Sequence, residues 1–158
     1  MNAISSFPRS WKWDGANWVE LSPPSHPSGR DGTSVYSASL GKVILFGGYD
    51  GTMHLNETWT FDGSTWTNVT PPSSPLARAG NGMAAVGAGA VIMGGYNIPG
   101  GYLSDTQYFD GTKWTKLRGP GPEARTLPNM TYDGAHHYVL LNSGTTDTVE
   151  YDDTWTLR

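Results

Sequence analysis

One interval governs this chain. Asp14-Gly15, Asp62-Gly63 and Asp110-Gly111 stand 48 residues apart, and Trp18, Trp66 and Trp114 keep the same step. The position held by Trp11 recurs as Trp59, Gln107 and Trp155 in the same register. Arg30, Arg78 and Arg125 follow at steps of 48 and 47, and Gly48, Gly95 and Gly144 at 47 and 49. The first Gly of each Gly-Gly pair is also kept, except that Ser143 takes its place in the third. Several independent landmarks in one register mark an internal repeat, and a unit of that size buries its faces only by stacking on its neighbours.

Within one repeat the residues dictate short strands. Val43 to Phe46 is a four-residue apolar run of the kind buried on both faces of a sheet. Thr58 to Asp62 and Thr65 to Val69 carry the β-branched and aromatic residues that favour strands, and the Asp-Gly pair between them signals a hairpin. Each repeat therefore reads as two inner strands followed by an outer hairpin. The inner pairs are expected at Thr33 to Ser39 with Lys42 to Gly48, Asn81 to Val86 with Ala90 to Gly95, and Asn129 to Asp133 with His137 to Ser143. The segments Leu21 to Gly29, Val69 to Leu76 and Leu117 to Glu123 are rich in proline, which cannot donate to a sheet ladder, so they read as links. No window supports a helix of three turns.

A period near 50 with Gly-Gly, an aromatic and a later Trp resembles the kelch repeat over essentially the whole chain. The resemblance implies an all-β fold: a kelch-type β-propeller of four-stranded antiparallel blades, three per chain. The units are an outer hairpin or closing strand at 1–21, blades at 29–69 and 77–117, and an incomplete blade at 124–158. Ser10 to Leu21 reads as an outer hairpin with no inner strands before it, and Asp153 to Leu157 supplies only one arm of the last. Propellers contain about four to eight blades, and an open arc of three leaves two apolar faces uncovered. The expectation is a homodimer closing a ring of six, in which one terminus completes the sheet begun by the other. Residues 11–13 and 155–157 both hold the third-strand position, so one copy must be displaced there. The alternative is that the chain is part of a longer protein.

Composition narrows function. Seven tryptophans and eight tyrosines beside 21 glycines and 11 prolines suit short strands and tight turns. A net charge of −4 argues against nucleic acid or an anionic membrane as partner. The absence of cysteine excludes disulfides, thiolate zinc sites, thiol nucleophiles and the cysteine-linked tyrosine copper centre of one kelch-like oxidase family. No cofactor is expected. Residues 1–10 contain no apolar stretch of secretory type, so a cytoplasmic protein is the default, weakly opposed by Asn-x-Thr sequons at Asn56, Asn68 and Asn129.

The long loops after the second strand of each repeat, Tyr49 to Glu57, Tyr96 to Asp105 and Thr145 to Asp152, converge on a channel mouth in the implied fold. Kelch domains that bind acidic peptides use residues after the Gly-Gly pair and an Arg before the inner strand. The matching residues are Tyr49, Asp50, Tyr96 and Asn97 with Arg30, Arg78 and Arg125, while Thr145 departs from the pattern. Three guanidinium groups, doubled by a dimer, suit an acidic peptide or small anion. They suit equally a structural role, each arginine capping carbonyls or pairing with a nearby Asp. The tyrosines also fit packing of blade on blade, and Trp18, Trp66 and Trp114 read as core between adjacent sheets.

No catalytic constellation or metal site is found among His26, His54, His136 and His137. The best enzymatic alternative is a metal or acid/base site joining His54, Glu57 and Asp105 on the long loops. A non-enzymatic scaffold that assembles with itself and binds at the mouth is the reading the residues favour.

Overall fold

A computed structural model of the protein describes residues 9–158; residues 1–8 of the expected closing segment lie outside them. All regular structure among the described residues is β. A two-stranded hairpin comes first, β1 (Ser10–Trp13) with β2 (Trp18–Leu21). The first four-stranded sheet is the meander β3 (Thr33–Ser37), β4 (Lys42–Phe46), β5 (Thr58–Phe61) and β6 (Trp66–Asn68). The second sheet repeats it with β7 (Gly82–Val86), β8 (Gly89–Met93), β11 (Thr106–Phe109) and β12 (Trp114–Lys116). Between β8 and β11 lies a small hairpin, β9 (Tyr96–Asn97) with β10 (Gly101–Tyr102). The third sheet has only β13 (Asn129–Asp133), β14 (Tyr138–Asn142) and β15 (Thr154–Leu157). Every pairing is antiparallel.

The sequence repeat is a repeat of register. Leu45 faces Trp59, Ile92 faces Gln107 and Leu141 faces Trp155. In the outer hairpins Phe61 faces Trp66, Phe109 faces Trp114, and Trp13 faces Trp18 in β1–β2. The Asp of each Asp-Gly turn accepts backbone N–H bonds from the two residues beyond the Gly, as Asp62 does from Ser64 (2.9 Å) and Thr65 (2.8 Å). Each turn keeps one backbone bond, as from Asp62 N–H to Thr65 O (3.3 Å), while the Asp side chain takes the place of the reciprocal one, leaving four residues between the strands.

The inner strands stop short of the Gly-Gly pairs that the sequence placed inside them: β4 ends at Phe46 and β8 at Met93. The glycines turn out of the sheet, with φ of +66° and +107° at Gly47 and Gly48. A Cβ on Gly47 would lie 2.5 Å from the Arg78 carbonyl, and one on Gly94 2.5 Å from that of Arg125. The pair therefore lets the next repeat approach, with Gly48 N–H donating to Arg78 O (2.8 Å) and Gly95 N–H to Arg125 O (2.8 Å).

The first strands β3, β7 and β13 stand side by side, with the second sheet between the other two. The main core lies between the first and second sheets: Ile44 and Phe46 against Met83, Ala90, Ile92, Phe109 and Trp114. The equivalent tryptophans are not equally buried. Trp114 is 3 % exposed, its ring 4.8 Å from Phe46 and its indole N–H donating to Thr58 Oγ1 (2.9 Å). Trp66 makes the equivalent bond to Ser10 Oγ (2.9 Å) of the β1–β2 hairpin, packs 5.0 Å from the Phe61 ring, and is half-buried. Trp18, expected in a core, is 64 % exposed. The burial follows what precedes each Trp: a four-stranded sheet for Trp114, a hairpin for Trp66, and no sheet among the described residues for Trp18.

Candidate functional site

The three arginines do not face an open mouth. Arg78 is 0 % exposed, and its Nη1 and Nη2 donate to the two carboxylate oxygens of Asp105 at 2.7 and 3.0 Å. Its remaining donors reach the carbonyls of Gly94 and Leu76, both at 3.0 Å. Arg125, equally buried, grips both oxygens of Asp153, donates to the carbonyls of Ser143 and Glu123 (both 3.1 Å), and lies 3.9 Å over the Tyr151 ring. Arg30 pairs with Glu57 at 2.6 Å and donates to the Ser28 hydroxyl and carbonyl. It differs in one atom: Nη1 is buried with no hydrogen-bond partner. Guanidinium groups held this way join the start of one inner strand to the loop end before the third strand. That is a structural role, since a buried charge keeps its partner or loses stability.

Glu57, Asp105 and Asp153 recur at a step of 48, beside arginines at 48 and 47, and that shared period was the legible signal for the pairing. The residue two further on also donates to each acid, Trp59 at 3.0 Å, Gln107 at 2.6 Å and Trp155 at 2.7 Å. Arg125 holds the Asp153 carboxyl down to about 2. For Asp105 burial pushes upward, and the bonds from Arg78 and Gln107 more than offset it, so the group stays below the usual carboxylate range. Glu57 follows the same balance, with Trp59 and Arg30 as the donors.

Tyr49 and Tyr96 lie on the loops that follow β4 and β8. Residues after each arginine bond to residues after each Gly-Gly pair: Asp31 N–H to Tyr49 O (3.3 Å), Ala79 with Tyr96 (3.0 and 2.9 Å), and Thr126 with Thr145 (2.9 Å both ways). These bonds fix the loop face within each repeat, and Arg78 N–H to Leu55 O (3.0 Å) and Arg125 N–H to Leu103 O (3.1 Å) join one repeat to the next across it. Along it runs a row of rings, Tyr49 to His54 at 5.1 Å, His54 to Tyr96 at 5.8 Å and Tyr96 to Tyr102 at 5.1 Å. Tyr102 continues the row by donating to Asp147 (2.6 Å) on the third loop. Asp50 lies at the edge, its carboxylate accepting from the N–H groups of Thr52 and Met53, and Asn97 sits in the β9–β10 hairpin.

A cleft at this face is lined by Tyr49, His54, Tyr96, Ile98, Leu127 and Asp31. Ile98 and Leu127 are 69 % and 65 % exposed. Leu127 has φ of +55° at the position where the preceding repeat has Gly80 at +65°. A branched side chain in the left-handed region costs about 1–2 kcal/mol, and such strain concentrates at binding sites. Ile98 and Leu127 were not among the candidates from sequence; the signal was a Leu where the repeat asks for Gly.

His54, Glu57 and Asp105 do not come together as one site: the ring packs tilted and edge-on between tyrosines and the carboxylates are held by Arg30 and Arg78. Among the described residues no three His, Asp or Glu side chains cluster as metal ligands.

A family profile for the KLHDC2/KLHL20/DRC7 Kelch-repeats domain matches residues 9–158. The chain belongs to the kelch-repeat family. The all-β architecture of antiparallel four-stranded sheets is that of a β-propeller, and kelch repeats are in general non-enzymatic modules of protein interaction. No individual curated protein matches the chain. In kelch terms the Gly-Gly pair, the buried Arg and the outer-strand Trp form the scaffold, and the ring row stands on it.

Proposed function

We propose that this kelch chain is a non-enzymatic interaction scaffold, two copies of which close one six-bladed propeller. Its loop face takes an extended, largely apolar segment of a partner protein. The observation that carries the second part is the aromatic row from Tyr49 to Tyr102, which crosses the loops of separate repeats and is flanked by exposed Ile98 and Leu127. Rigid aromatic rings bury large area at small entropic cost, which suits them to anchor a partner. Asp31 lines the same cleft, and the three arginines are engaged with carboxylates. An anionic ligand is favoured only by the uncommitted Nη1 of Arg30.

The test is selection of a random linear peptide library on the intact protein, followed by affinity measurements with a chosen binder and with polyglutamate. The variant Tyr49→Ala with Tyr96→Ala and Leu127→Gly is expected to lose about tenfold or more in affinity for the selected peptide. Its fold should persist, since Gly relieves the strain at position 127. Undiminished binding, or preference for polyglutamate lost with Arg30→Ala, would overturn the apolar reading.

A further inference from the structure

The cavity between the second and third sheets has the form of an unfilled tryptophan seat. Trp114 is held by three cross-strand couples: Phe46 with Thr58, Ala90 with Phe109, and Met83 with Ile92. One repeat further on, the couples in the same registers are Met93 with Thr106, Val139 with Leu157, and Met130 with Leu141. These six residues line the cavity. One contact is not repeated: Ser73, whose hydroxyl accepts the Trp114 backbone N–H, becomes Gly121. Among the described residues β15 pairs only with β14, so no outer strand supplies a Trp to this cavity. At the other end of the chain Trp18, the register equivalent of Trp114, is 64 % exposed on β2.

We propose that this cavity is the seat of Trp18 from a second copy of the chain. β2 of that copy joins the free edge of β15, and its indole N–H donates to Thr106. The inference rests on the reading that two copies close one ring, and it specifies how. Register names the pairs: Trp155 with Glu20, Thr156 with Val19 and Leu157 with Trp18 of the second copy, matching Trp59 with Asn68, Thr60 with Thr67 and Phe61 with Trp66.

The same register decides between the two duplicated strands. β1 and β15 are equivalent and compete for one edge of β2. β15 keeps its place because Asp153, just before it, holds buried Arg125. The residue equivalent to Asp153 before β1 is Arg9, and a cation there would face Arg125. In the closed ring β15 therefore displaces β1, and Thr154 takes over from Ser10 as the acceptor for Trp66.

The chain has no cysteine, so Val19→Cys with Thr156→Cys places its sole thiols at a proposed contact. Within one chain these positions face Lys12 and Leu140. Across a two-copy junction their Cα atoms would be about 4.5–5.5 Å apart, within disulfide reach. The expected result is a disulfide-linked dimer on mild oxidation, with Trp18→Ala in the uncrosslinked protein weakening the dimer about tenfold or more by sedimentation. Trp18 is exposed in the single chain, so that variant folds. A dimer that neither crosslinks nor responds to Trp18→Ala would overturn this seat while the two-copy ring survives. A monomer at all concentrations would overturn both.

Discussion

Arg78 and Arg125 show how one residue type carries two meanings that only burial separates. Both are arginines kept at a repeat interval, and both have every donor group committed to a carboxylate or carbonyl of the same chain. Their partners make the protein sensitive to acid. The carboxyl of Asp153 is held down to about 2 from 3.8, first by Arg125, and those of Asp62 and Asp110 reach about 2 through the backbone N–H groups of their turns. A depressed folded-state value contributes stability that is complete above the unfolded value and disappears as pH falls through the folded one. The melting temperature is therefore expected to be flat from neutrality to about pH 5 and to fall between about pH 4 and pH 2. Asp153→Asn should flatten part of that fall, as thermal melts across this range would show. An unchanged acid limb would mean that Arg125 gains nothing from ionised Asp153.

At the level of the element, the outer hairpins share one sequence pattern and one register but not one environment. Trp114 lies against a whole preceding sheet, Trp66 bonds to Ser10 of the β1–β2 hairpin, and Trp18, 64 % exposed, lies 5.7 Å from the Trp13 ring of its own hairpin. Truncation should follow that gradient. Trp114→Ala is expected to cost about 3–5 kcal/mol, because it opens a cavity and leaves Thr58 without its donor. Trp66→Ala should cost roughly half as much, and Trp18→Ala no more than about 0.5 kcal/mol in the single chain. Denaturant melts at a concentration low enough to keep the chain monomeric measure all three. Equal costs would show that the preceding sheet is not what buries the indole.

For the whole molecule, the strand inventory of the described residues is uneven from one end to the other. Among the described residues the third sheet has three strands, and β1 and β2 pair with each other and with no inner strand. Light scattering is expected to give twice 17.1 kDa. In the proposed ring Ser143 would oppose closure: it stands where Gly47 and Gly94 admit the next repeat's carbonyl, with φ of +59°. In a ring its Cβ would press on the carbonyl of Arg30 of the second copy. Ser143→Gly should therefore tighten the dimer about fivefold to tenfold, a shift of roughly 1–1.4 kcal/mol. A weaker dimer would place that junction elsewhere.

Much of this architecture was written in the spacing of the chain. Repeats of Trp, Asp-Gly, Arg and Gly-Gly determine strand order, hairpin register and family, because side-chain alternation and turn chemistry act over a few residues and need no distant partner. The tyrosines at 49 and 96 were also legible as members of the loop face. Tertiary structure alone decided that the arginines turn inward to Asp105 and Asp153, that His54 completes a ring row, and that Leu127 projects where a Gly would be relaxed. It also decided that one tryptophan of three equivalents stays outside. Those outcomes depend on what stands across the gap from each residue, and a repeat holds its pattern constant while its neighbours change from one end of the stack to the other.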